Sequence, residues 1–102
     1  MIYINRHLTE KGEILAMCDE ELIGRILSEG RMEIDLKRYA SFYQGELVNE
    51  EQAKKMINEN IISANAVGDR SVGILVEKRI LKSEQVRKIQ GVSFVQIYSI
   101  EK

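Results

Sequence analysis

The stretch Asn49-Glu50-Glu51-Gln52-Ala53-Lys54-Lys55-Met56-Ile57-Asn58-Glu59-Asn60-Ile61 opens on a capping-box pattern. The Asn49 side chain is placed to accept from the amide three residues on, and Gln52 to reach back. Ala53, Met56, Ile57 and Ile61 then recur on one helical face, so the spacing predicts a helix from about 50 to 60. Upstream the period changes. Arg31-Met32-Glu33-Ile34-Asp35-Leu36 alternates polar and apolar, which is a strand with Met32, Ile34 and Leu36 on one face. Between the two, residues 37–45 read equally as a turn or a short helix, with Asp35 as cap, Leu36, Tyr39 and Tyr43 on one side and Gly45 as stop.

Further toward the N-terminus, Ile2-Tyr3-Ile4 and Glu13-Ile14-Leu15-Ala16-Met17-Cys18 read as strands joined by a polar turn at Lys11-Gly12, a β-hairpin. Asp19 is expected to cap a short helical turn through Glu20-Glu21-Leu22-Ile23, which Gly24 ends, and the chain turns again at Glu29-Gly30. Downstream, Gly68 interrupts the run Ile61-Ile62-Ser63-Ala64-Asn65-Ala66-Val67. Asp69 is expected to cap a second helix with Val72, Leu75, Val76 and Ile80 as its buried stripe. After a further turn opened by Ser83, Val86-Arg87-Lys88-Ile89 and Val92 to Ile100 form a strand, a turn at Gly91 and a strand. The last strand has Val95 and Ile97 on one side and Phe94, Tyr98 and Ile100 on the other, so it is central or covered. The expected fold is α+β: one domain over residues 1–102, an antiparallel or mixed sheet of about five strands, and two main helices packed on one face.

Composition narrows the function. A chain of 102 residues, 44% apolar and 30% charged, holds one domain, and it buries roughly 65% of its unfolded surface without needing a staple. Fifteen basic and sixteen acidic side chains nearly cancel, so no whole-molecule field gathers polyanions or holds an acidic membrane. The balance is uneven: residues 10–59 carry twelve acidic and seven basic groups, residues 60–102 four and seven. One cysteine and one histidine exclude an internal disulfide and an ordinary Cys/His zinc site. No apolar run approaches the ~20 residues that span a bilayer, and Met1-Ile2-Tyr3-Ile4-Asn5-Arg6 is not the start of a signal peptide. The expected compartment is the cytoplasm, with no membrane partner and no cofactor.

The order of these pieces resembles an archaeal family known as domain of unknown function 424. The residues that carry the likeness are Cys18-Asp19-Glu20-Glu21-Leu22-Ile23-Gly24, Phe42-Tyr43-Gln44-Gly45, Asn65-Ala66-Val67-Gly68, and Gly91-Val92 with Gln96. The resemblance implies an archaeal, cytoplasmic, compact domain and brings no reaction with it. Ser93 and Phe94 stand where such proteins would have a Pro-His pair, which argues against a histidine-based catalytic role there.

Three groups of residues are candidate sites. Cys18 before a helical turn resembles a nucleophile position. Asp19, Glu20 and Glu21 oppose a thiolate, however, and no histidine is local, so Cys18 reads as a buried structural cysteine. The same three carboxylates suit a hard cation, but a helix start explains them more simply. No phosphate-binding loop is present, since neither Gly-Lys-Ser/Thr nor Gly-x-Gly-x-x-Gly occurs. The third group is basic: Lys78, Arg79, Lys82, Arg87 and Lys88 lie within eleven residues, and Phe94 and Tyr98 flank Gln96 on one strand face. A second basic and aromatic group is Lys37, Arg38, Tyr39, Phe42 and Tyr43, read as rings packed beneath a turn.

The chain lacks the mutually activating side chains that bond breaking requires, which argues against an enzyme. The function expected is a noncatalytic, translation-related module contacting structured RNA or a ribonucleoprotein, with Lys78, Arg79, Lys82, Arg87 and Lys88 on phosphate and Tyr39 and Tyr43 beside them. The alternatives are a small thiol- or metal-dependent enzyme or accessory protein centred on Cys18 and Asp19–Glu21, and a protein–protein adaptor with an exposed apolar patch.

Overall fold

The first two strands, β1 (Ile2–Thr9) and β2 (Gly12–Asp19), pair over their whole length from Ile2 opposite Asp19 to Thr9 opposite Gly12. This is the expected hairpin, with longer arms. The structure is a computed structural model and describes residues 1–98 and residue 100; Ser99, part of the expected last strand, and residues 101–102 of the expected domain lie outside the described residues. After a 3-10 turn at Glu20–Leu22 come β3 (Ile26–Glu29), β4 (Met32–Asp35), α1 (Ala40–Tyr43), β5 (Glu46–Val48), α2 (Glu50–Met56), β6 (Ile61–Val67), α3 (Asp69–Glu77), β7 (Arg87–Ile89) and β8 (Val92–Ile97).

Six strands form one mixed sheet in the order β5-β1-β2-β6-β8-β7, in which only β2 and β6 run parallel; β3 and β4 form a separate two-stranded sheet. The mixed sheet thus has six strands rather than five. The Cα radius of gyration of the chain, 12.6 Å, is close to the ~13 Å of one compact unit of this length.

The side chains of the large sheet divide between two cores. Ile2, Ile4, Leu15, Met17, Ala64, Ala66 and Val95 point to one face, where they meet Ala53 and Ile57 from the α2 segment and Val72 and Leu75 from α3. Both main helices are therefore on this face, as expected. The opposite face carries Ala16, Cys18, Val67, Ile89 and Phe94, and it is covered by Leu27 of β3, Leu36 just past β4 and Tyr43 of α1. The second cover is what the sequence reading did not contain. It is a consequence of alternating burial: a strand such as β2, buried at Leu15 through Asp19, must be roofed on both sides.

Local chemistry sets the element ends. The Asn49–Gln52 capping box is present, with Asn49 Oδ1 accepting from Gln52 N at 2.8 Å and Gln52 Oε1 from Asn49 N at 3.0 Å. α2 ends at Met56, short of 60, because Asn58 forms its own turn: its Oδ1 accepts from Asn60 N at 2.7 Å and its Nδ2 donates to the Glu13 carboxylate at 2.8 Å. The chain then enters β6 as a central strand.

Two aspartates exchange their expected partners. Asp19 caps no turn of its own. Its carboxylate crosses to α3, accepting from Arg70 N at 3.1 Å on Oδ2, and from Ser71 N at 2.9 Å and Ser71 Oγ at 2.8 Å on Oδ1. Asp69, expected to cap α3, instead accepts from Ser93 N of β8 at 3.0 Å. That bond, together with the Ser93 side chain and the nearby Lys88, holds the Asp69 carboxyl below its ordinary range. Each exchange satisfies a backbone amide that no local group reaches.

Candidate functional site: an aromatic and amide-lined cleft

Where the roof of β3, β4 and α1 ends, the sheet face is left open as a cleft of about 330 Å³. Tyr39, Phe42 and Tyr43 form one side, and Glu33, Ile34 and Asp35 of β4 form the other. Its floor is Asn65 of β6 and Gln96 of β8, which are direct cross-strand partners.

The aromatic side is held by hydrogen bonds rather than by burial alone. Asp35 Oδ1 accepts from Lys37 N at 3.1 Å and Arg38 N at 2.7 Å, an Asx-type turn that aims the chain into α1. His7 of β1 donates from Nε2 to Phe42 O at 2.9 Å, and its ring stacks on Phe42 with centroids 4.7 Å apart. His7 is thus half-buried and structural. Asn5 adds a bond to the same carbonyl at 3.2 Å. Gly45 then lets the chain pass over β1, since a β-carbon there would lie 2.9 Å from Asn5 Cα. The outcome is graded exposure: Tyr43 is buried, Phe42 half-buried, and Tyr39 54% exposed with the Arg38 guanidinium 5.5 Å from its ring centroid.

The floor is polar and open to water. Asn65, half-buried, interrupts an otherwise apolar and small strand, its partner Gln96 is exposed, and among the described residues neither side-chain amide has a hydrogen-bond partner in the chain. The polar residue within a buried run was the signal in the sequence. Phe42 and Gln96 stand in the candidate groups and in the family likeness, whereas Asp35 reads from the sequence as a cap and Glu33 as part of a strand.

The basic residues do not gather at this cleft. Arg87 is on the same face of the sheet, with its guanidinium 5.4 Å from the Phe94 centroid and donating to Met32 Sδ at 3.3 Å. Lys88, the next residue, points to the other face and lies 4.0 Å from Asp69. Lys78 and Arg79 are at the end of α3, where Lys78 Nζ donates to Lys54 O at 2.9 Å. There they border a larger hollow of about 570 Å³ whose remaining walls include Ile57, Ile61 and Ile80. That hollow has no aromatic ring, so it offers greasy walls and charge but nothing that stacks. Lys82 precedes the 3-10 turn at Ser83–Gln85, exposed.

Cys18 is buried against the roof, and its thiol donates to Asp19 O at 3.3 Å. Burial first, then the charges of Asp19 and Glu21, push its pKa from an ordinary 9.0 to about 12, where almost no thiolate exists at neutral pH. Burial likewise raises the Tyr43 hydroxyl from 10.0 to about 12. Both groups titrate later in the folded than in the unfolded chain. Their contribution to stability is whole below pH 9 and is lost as pH rises toward 12. Urea unfolding across this range is expected to show stability falling from about pH 9. In Cys18→Ala the fall begins nearer pH 10, and an unchanged onset in that variant contradicts the assignment. Of the acidic trio, Asp19 is engaged by α3, Glu21 pairs with Arg70, and Glu20 lies 3.9 Å from the N-terminal amine.

The large exposed apolar side chains are Met1, Leu8, Ile26, Tyr39, Leu47 and Tyr98, carried by separate elements. Among the described residues no helix is long and apolar enough to cross a membrane.

Comparison with known proteins gives three findings. A family model described as "Protein of unknown function (DUF424)" matches residues 7–100. No curated protein matches. A solved structure described as "Crystal structure of an uncharacterized conserved protein from Methanopyrus kandleri" has a TM-score of 0.80 over 99% of this chain and 93% of that chain, at 24% identity, which is a likeness of fold. The family match spans every residue of the cleft, and with nearly the whole length covered the chain belongs to the DUF424 family of proteins of unknown function.

Proposed function

We propose that this protein is a noncatalytic module of the archaeal cytoplasm that contacts RNA, free or within a ribonucleoprotein, by taking an unpaired base into the cleft between α1 and β4. The observation that supports this reading is the pairing of aromatic side chains with two amides that are open to solvent on an uncovered part of the sheet face. Sequence-specific RNA recognition works on unstacked bases in this way, with rings to stack on and polar groups to meet the base edge. The carboxylates of Glu33 and Asp35 keep phosphate out of the cleft itself. The backbone therefore stays outside, near Lys37 and Arg38 beside Tyr39 and Arg87 on the same face. Lys78, Arg79 and Lys82 are remote from this path, and the reading does not depend on them.

The test is retention of total cellular RNA on immobilised protein over a series of monovalent salt concentrations. Retention is expected to fall as salt rises, because bound phosphates release counterions. Tyr39→Ala is expected to weaken it about tenfold, since stacking of one base contributes about 1–3 kcal/mol. The double charge reversal Lys78→Glu with Arg79→Glu leaves it within about twofold, as those groups make no contact in this reading. Absence of salt-dependent retention at low ionic strength refutes the proposal.

A further inference from the structure

The polar groups of the cleft are not interchangeable. Glu33 and Asp35 carry carboxylates, which only accept hydrogen bonds, whereas the floor amides of Asn65 and Gln96 both donate and accept. Asp35 Oδ1 already receives Lys37 N and Arg38 N, while Oδ2 has no partner among the described residues. Glu33 is exposed on β4 and likewise unpartnered among them. A base that enters against the rings therefore meets an acceptor-only wall on one side and donor-capable amides on another.

We infer that the base this cleft selects is guanine, an inference that rests on the RNA reading above. Guanine alone of the four RNA bases has two adjacent N–H donors on its Watson–Crick edge, N1–H and the N2 amino group, which match the two lone-pair directions of a carboxylate. Its O6 and N7 are acceptors that the Asn65 and Gln96 amino groups can meet. Adenine and cytosine each set one amino group beside a ring nitrogen that accepts, so a carboxylate bound to the amino group faces a second lone pair. Uracil has a single N–H between two carbonyl oxygens, and both oxygens would face the acidic wall. Mismatches of this kind discriminate between bases, because a carboxylate that faces a base acceptor forms no bond there and is repelled by its lone pair. The rings give affinity for any base, and the carboxylates choose among them.

The experiment measures fluorescence anisotropy of the full chain with labelled uridine octamers carrying one central guanosine, adenosine, cytidine or inosine, at one fixed low salt. The guanosine oligomer is expected to bind about tenfold tighter than the adenosine, cytidine or all-uridine oligomer. Inosine, which lacks the N2 amino group, should lose most of that advantage. Glu33→Gln replaces an acceptor-only group with one that also donates. The variant is expected to bring all the oligomers to within about twofold of one another. Glu33 is exposed, so the variant is expected to fold, and circular dichroism verifies it. Equal affinities for every oligomer that still weaken in Tyr39→Ala overturn the guanine assignment and leave the RNA reading standing, as does preference for another base. No binding of any oligomer at this salt overturns both.

Discussion

Replacing Asp19 by alanine is expected to lower the unfolding free energy by about 3 kcal/mol, a shift of about 2 M in the urea midpoint at an m value of about 1.5 kcal/mol/M. The residue is 4% exposed and its two carboxylate oxygens serve Arg70 N, Ser71 N and Ser71 Oγ at the start of α3. Alanine leaves these donors in a site that water enters poorly. Ser71 is fully buried, so its hydroxyl has no alternative partner of comparable geometry. A cap contributed by its own helix is worth about 1 kcal/mol; this one is larger because three donors depend on it and the acceptor is charged. Asp19→Asn separates the causes. Its shape is kept, but one oxygen becomes an amino group facing a donor, so a cost of about 1–2 kcal/mol is expected. If Asp19→Ala loses less than about 0.5 kcal/mol, the carboxylate is not what fastens α3 to β2.

The second large effect is expected at Gly68, which joins β6 to α3. Its φ of +114° is a conformation side chains seldom adopt, and an added β-carbon would sit 2.6 Å from Asp19 Oδ1. The carboxylate cannot retreat, since both oxygens are bonded to α3. Gly68→Ala is therefore expected to cost about 4 kcal/mol, the sum of backbone strain and steric overlap. That is a large part of the ~5–15 kcal/mol that holds a typical domain folded, so much of the variant should be insoluble at growth temperature. The double variant Asp19→Ala with Gly68→Ala is the sharper measurement. With the carboxylate gone the overlap disappears and only the strain remains, so the double variant should lose at least ~1 kcal/mol less than the sum of the two single losses. Strict additivity would mean that the two residues do not act on one another.

Both residues belong to stretches that carry the family likeness, Cys18–Gly24 and Asn65–Gly68, and the structure joins those stretches at one place. Gly68, read only as an interruption, is the position at which a central strand passes the buried carboxylate of another. Asp19 and Asp69 both read as capping residues from their type and setting, and only Asp19 serves a helix start, that of α3, while Asp69 holds β8. Which helix or strand each one serves was not legible, because Asp19 lies 51 positions from Arg70 along the chain and no local periodicity reports such a distance. The same limit hid the cleft. Asn65 and Gln96 are 31 positions apart, and they become one floor only when β6 and β8 pair.

Local physics was sufficient for much of this protein. Capping chemistry determined where α2 begins, alternation revealed β4, the polar turn at Lys11-Gly12 made the first hairpin, and apolar residues on both sides of the last strand required it to be covered. These features depend on neighbours within a few residues, so the order of side chains carries them. What tertiary structure alone decided is that β6 enters the sheet parallel to β2, that a small second sheet and α1 roof the face opposite the helices, and that the Lys78–Lys88 cations are divided between two sides of the molecule. Each follows from how buried faces satisfy one another across the whole chain, where the gain comes from apolar area and paired amides whose partners are set by packing and not by proximity in sequence.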